Sequence, residues 1–84
     1  MQPYDRKHIT AAQLRAARSL LGLSAEALAA QASLGLATVR RAEAADGLGS
    51  LTASNAARLI DTLIAAGVEF IDDHGKRRGV RLRD

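Results

Sequence analysis

The stretch that most constrains the fold runs from residue 24 to residue 43: Ser-Ala-Glu-Ala-Leu-Ala-Ala-Gln-Ala-Ser-Leu-Gly-Leu-Ala-Thr-Val-Arg-Arg-Ala-Glu. Ser24 is an N-cap residue, Glu26 sits in the first turn where the helix dipole is positive, and Leu28 falls at the N4 position to meet Leu23 as a staple. A helix over 25–32 is predicted. Ser33-Leu34-Gly35 then breaks the alanine-rich pattern, and a second helix is predicted over 36–45, with Gly35 as its N-cap and Val39 and Ala42 inward at a three-residue spacing. Two short helices thus fold across a tight turn. Leu36, Ala37, Arg40, Arg41 and Ala44 collect on the remaining face of the second, because neighbours on a helix surface lie three or four residues apart.

The flanks carry equally local signals. Thr10-Ala-Ala-Gln13 fits a capping box, with Ile9 and Leu14 as the accompanying staple. The first helix is predicted to end near Leu21, with Leu14, Ala17 and Leu21 on one face and Arg15 on the other, and Gly22 suits a left-handed C-terminal cap. Gly47, Gly49 and Ser50 mark a loop. A fourth helix should start near Thr52 and end at Gly67, turning Leu59, Ile60, Leu63 and Ile64 inward and Arg58, Asp61 and Thr62 outward. Past Gly67 the apolar period drops to two: Val68-Glu-Phe-Ile71, a polar turn through Asp72 to Arg78, then Gly79-Val-Arg-Leu-Arg83. This is a hairpin, and a lone hairpin is marginal in water, so it should pack on the fourth helix or pair with its copy in another subunit. The expected fold is mainly α, with four helices and a C-terminal two-stranded β-hairpin. It divides into an N-terminal arm (1–8), a helical domain (9–67) and the hairpin (68–84).

An 84-residue chain is one domain near the lower limit for a self-supporting core, so a second subunit is a natural source of further burial. The absence of cysteine excludes disulfides, thiolate metal sites and cysteine nucleophiles together. Met1 to His8 lacks an apolar signal stretch, and no apolar run approaches the roughly 20 residues of a membrane span, so a cytoplasmic chain without a membrane partner is expected. Residues 9 to 71 balance Arg15, Arg18, Arg40, Arg41 and Arg58 against Glu26, Glu43, Asp46, Asp61 and Glu69, so the net charge of +3 comes from the ends, where a polyanion would feel it most. Catalysis has little foothold. His8 and His74 are far apart, Asp72-Asp73-His74 reads as a polar turn rather than a metal site, and no Ser/His/Asp arrangement or phosphate-cradling glycine motif occurs. No catalytic, cofactor or metal site is expected.

Leu21-Gly-Leu-Ser-Ala-Glu-Ala-Leu-Ala29 and Ala37-Thr-Val-Arg-Arg-Ala-Glu43 resemble the Cro/C1-type (XRE) helix-turn-helix regulators of bacteria and phages. The segment from Gly67 to Arg83 is similar to the ending of a set of short bacterial members, so the resemblance covers about residues 9 to 83. It implies a four-helix Cro/C1-like domain with a C-terminal hairpin, acting as a homodimer on a palindromic operator in double-stranded DNA to regulate transcription, its own promoter being a natural site. The helix over 36–45 would be the recognition helix, with Leu36, Ala37 and Arg41 at base edges and Thr38 and Arg40 at phosphates. An arginine fork can grip guanine O6 and N7, and Leu or Ala can meet a thymine methyl. Ser24 and Ala25 would approach the DNA backbone, and Lys76, Arg77 and Arg78 are further candidates for it. Arg18 and Glu43 occupy places where the family often has an ion pair joining its first and third helices. Where the family's turn usually has glycine this chain has Ser33, which can adopt the left-handed backbone only at some cost.

Leu63, Val68, Phe70, Val80 and Leu82 are the candidates for the dimer surface, so removing residues 68–84 is expected to give a monomer or a weaker dimer. RNA polymerase or another protein would be a further partner. A rival reading keeps the fold but makes it a protein-binding module, an antitoxin or antiactivator that holds its partner through Leu36, Ala37 and the alanine-rich faces.

Overall fold

The computed structural model describes residues 9–44, 47–72 and 78–83, which form four α-helices, a single 3-10 turn and a two-stranded antiparallel sheet. Helix α1 spans Ala11–Leu21, α2 Ala25–Ala32, α3 Leu36–Ala42 and α4 Ala53–Ala66, followed by strands β1 (Val68–Asp72) and β2 (Arg78–Leu82). Three helices start as their caps dictate: Thr10, Ser24 and Thr52 each accept a hydrogen bond from a backbone N–H three residues on. Thr10 and Gln13 close the reciprocal capping box. Helix α1 ends on Gly22 at φ 69°, whose N–H and that of Leu23 return to the carbonyls of Ser19 and Arg18.

The core gathers one face of every helix: Leu14 and Ala17 from α1, Leu28, Ala29 and Ala32 from α2, Val39 and Ala42 from α3, and Leu59, Ile60 and Leu63 from α4. Ile9 is buried in the same cluster as Leu14, its expected staple partner, and Leu21 and Ile64 pack at its margin. Two boundaries differ from the sequence reading. Helix α3 stops at Ala42 rather than running to 45, because Glu43 leaves the helical region to meet two arginines of α1. The glycine-rich loop contains a 3-10 turn over Gly47–Ser50, closed by a hydrogen bond from the Ser50 hydroxyl to the Gly47 carbonyl.

The hairpin's bed also differs. β1 packs on α4 as expected, but both strands also lie along α1, which β2 meets most extensively. One side chain accounts for this. Gln13 is buried, its Oε1 accepting from the Thr10 N–H at 2.9 Å, while its Nε2 donates to the carbonyls of Ile71 at 3.1 Å and Gly79 at 3.0 Å. Ile71 and Gly79 face each other across the two strands. The same amide that caps α1 therefore clamps both strands, and every hydrogen-bonding group it carries is used. Among the described residues no helix is long and apolar enough to cross a membrane.

The dimer-surface expectation needs correction at three positions. Leu63, Val68 and Phe70 lie at 0%, 0% and 2% exposure in the core of the single chain and so offer no surface to a partner. The hairpin shares the core of the helices, so removing 68–84 would unroof that core rather than detach an appendage. Val80 is half-buried and Leu82 is 49% exposed.

Candidate nucleic-acid interface

Helix α3 has two opposite faces. Val39 and Ala42 are wholly buried, whereas Ala37, Arg40 and Arg41 are exposed on the other side, flanked by half-buried Leu36 and Thr38. The spacing explains this division, since 100° per residue sets 39 and 42 side by side and 37, 40 and 41 roughly opposite them. The predicted readout residues therefore share one solvent-facing surface. Arg40 makes no hydrogen bond or ion pair among the described residues. Arg41 reaches only the Thr38 hydroxyl of its own helix, at 3.4 Å. Both cations also lie in the last turn of α3, where they complement the helix dipole.

The turn that presents α3 is held from both sides. Ser33 adopts φ 57°, ψ 43°, the single non-glycine residue at positive φ among those described, and its N–H and that of Leu34 return to the carbonyls of Ala30 and Ala29. Left-handed backbone costs a residue with a Cβ about 1 kcal/mol. Three contacts offset it: the paired return bonds, the packing of Leu34 against the core, and a hydrogen bond of 3.3 Å from the Arg58 guanidinium of α4 to the Ser33 carbonyl. Gly35 caps α3 with backbone alone.

The far end of α3 is anchored to α1. The Arg18 guanidinium donates to both carboxylate oxygens of Glu43, at 2.9 and 3.1 Å, and to the Leu23 carbonyl at 3.1 Å, while Arg15 donates to the Glu43 carbonyl at 2.6 Å. The Glu43 side chain is 9% exposed and that of Arg18 27%. Hydrogen bonding to Glu43 raises the Arg18 pKa against the opposing effect of burial, with the charges of Glu43 and Glu26 acting in the same direction, so the guanidinium is always charged. The pairing expected of Arg18 and Glu43 is present. No family model, curated protein or solved structure matches the chain.

The other predicted contacts scatter. Ser24 is exposed but its hydroxyl accepts the N–H of Ala27 at 3.0 Å, and Ala25 packs partly against the core. Arg78 is exposed on β2, beside α1 rather than on the outward face of α3. Lys76 and Arg77 lie outside the described residues, as do Asp73, His74 and the N-terminal arm. Sequence reasoning missed Arg15 and Arg58 as supports of α3 and its turn. Both read as solvated helix arginines because their partners are backbone carbonyls, which leave no signature in the sequence.

Proposed function

We propose that the chain is a helix-turn-helix regulator of the Cro/C1 type that binds double-stranded DNA as a homodimer, α2 lying across the backbone and α3 entering the major groove. The observation that carries this reading is the contrast among arginines. Arg15, Arg18, Arg58 and Arg83 are each hydrogen-bonded to a carbonyl or carboxylate of another element, and Arg81 to Glu69, whereas Arg40 and Arg41 stand together on an exposed helix face with no such partner among the described residues. A groove lined with phosphates and guanine edges supplies what they lack. Leu36 and Ala37 sit one turn nearer the start of the helix, where short apolar side chains can meet thymine methyls.

Each protomer of a twofold dimer would then offer one α3 to successive major-groove faces about 34 Å apart, which predicts an inverted-repeat site. The test is fluorescence anisotropy on duplexes recovered from a random pool. Affinity should fall at least about 100-fold as salt rises from about 50 to 200 mM, because neutralised phosphates release counterions. Failure to enrich any duplex, together with salt-insensitive capture of a protein through the α2–α3 surface, would replace this reading with that of a protein-holding module.

A further inference from the structure

Helix α2 is joined to its neighbours by two connectors of three residues built to one plan. In each, the first residue is left-handed, the second is a leucine and the third caps the next helix: Gly22-Leu23-Ser24 before α2 and Ser33-Leu34-Gly35 after it. The return bonds also correspond, Gly22 and Leu23 donating to the carbonyls of Ser19 and Arg18, and Ser33 and Leu34 to those of Ala30 and Ala29. The glycine and the serine, however, have changed places.

That exchange weakens the second connector twice. Glycine takes the left-handed position of the first without penalty, whereas serine at that position of the second is disfavoured about fivefold relative to glycine. Ser24 caps α2 by accepting the Ala27 N–H at 3.0 Å, whereas Gly35 has no side chain with which to cap α3. The Ser33 return bond is also the longest of the four, 3.3 Å against 2.9 to 3.1 Å for the others. Of the two joints, the one that sets the angle of α3 is held less well by its own residues.

Support comes from a third helix. Arg58 of α4 donates to the Ser33 carbonyl at 3.3 Å, and its backbone is fixed because Leu59 and Ile60 beside it are fully buried. In the first connector the matching bond is local, from Arg18 of the helix just ended to the Leu23 carbonyl at 3.1 Å. We propose that Arg58 is a positioning residue for α3: by holding the Ser33 carbonyl it selects the left-handed turn, and with it the orientation in which α3 presents Leu36, Arg40 and Arg41. Its effect on duplex binding rests on reading α3 as the DNA-facing helix, whereas its effect on the turn does not. A hydrogen bond from a charged donor and the cost of a left-handed serine are of comparable size and opposite sign, so Arg58 restores what the exchanged glycine and serine remove.

Amide hydrogen exchange of the free protein reads the turn, and Arg58→Met, at an exposed position, keeps the reach of the side chain while removing its donors. In that variant the amides of Leu34 and Val39, which donate to Ala29 and Gly35, should exchange about three to ten times faster, with the Leu14 amide of α1 unchanged. Adding Ser33→Gly should return both to within about twofold of the parent chain, since glycine removes the left-handed penalty. Gly35→Ser offers a rescue that leaves Ser33 in place, because a Cβ at 35 meets only the Thr38 hydroxyl, at 3.9 Å, and the new hydroxyl would cap α3 as Ser24 caps α2. Affinity for a selected duplex should fall about twofold to fivefold in Arg58→Met with the salt slope unchanged, and recover with either second substitution, because a binding-competent state occupied less of the time binds in proportion.

Unchanged exchange at Leu34 and Val39, acceleration spread equally over all four helices, or a loss that Ser33→Gly does not restore overturns the proposal. So does a lower duplex affinity with a salt slope reduced by about 1 and α3 exchange unaltered, which would make Arg58 a phosphate contact and leave the DNA reading standing. Local exchange that rises and is restored in a protein that binds no duplex supports the role of Arg58 at the turn while removing the DNA reading.

Discussion

Helices α1 and α3 each carry a pair of arginines close in sequence, and the fold treats the two pairs oppositely. Arg15 and Arg18 of α1 are both spent on Glu43, one on its carbonyl and the other on its carboxylate. Among the described residues, Arg40 and Arg41 of α3 are spent on nothing outside their own helix. Residue type fails to separate these pairs, and exposure sets apart only half-buried Arg18, since Arg15, like Arg40 and Arg41, is exposed. Partners separate them. A long cationic side chain held against one carboxylate is part of the scaffold, and one left in water keeps its donors for another molecule. The first pair fixes the end of α3 against α1, and the second is carried on the helix so fixed.

Substitution should split the pairs along that line. The largest effect is expected for Arg18→Met, which leaves the poorly exposed Glu43 carboxylate without its fork and should cost about 2–3 kcal/mol, read as a lower urea midpoint with an unchanged slope. Arg41→Ala should alter stability by no more than about 0.5 kcal/mol, while lowering discrimination between selected and scrambled duplexes by about 1–3 kcal/mol. Arg40→Ala should do least, weakening all duplexes alike and reducing the salt slope by about 1. An Arg41→Ala protein as destabilised as Arg18→Met would break the comparison, because Arg41 would then belong to the scaffold too.

Much of the fold was legible because its signals are local. Thr10, Ser24 and Thr52 could be read as caps from the residues that follow them, Gly22 as a stop, and Val68 to Leu82 as alternating strands, since each depends on neighbours within four positions. The turn at Ser33 followed from helical patterns on either side of it, and its left-handed backbone from the resemblance, which has glycine at that place. What escaped depended on distance in the chain. Gln13 announced its capping role but not its grip on Ile71 and Gly79, because nothing in a glutamine's surroundings tells which remote carbonyls will need a donor. The apolar residues of the hairpin announced burial without telling whose atoms would bury them. Val68 and Phe70 proved to be covered by their own chain, and Leu82 was left uncovered.

For the outward face of α3 the decisive observation is residue-level: amide chemical shifts of the labelled protein during titration with a selected duplex. The account predicts that the largest changes cluster at Gly35 to Arg41 and at the start of α2, while residues of the hairpin and the buried face of α4 move little. Perturbation confined to the hairpin or spread evenly over the molecule, with Arg40 and Arg41 unaffected, would contradict it.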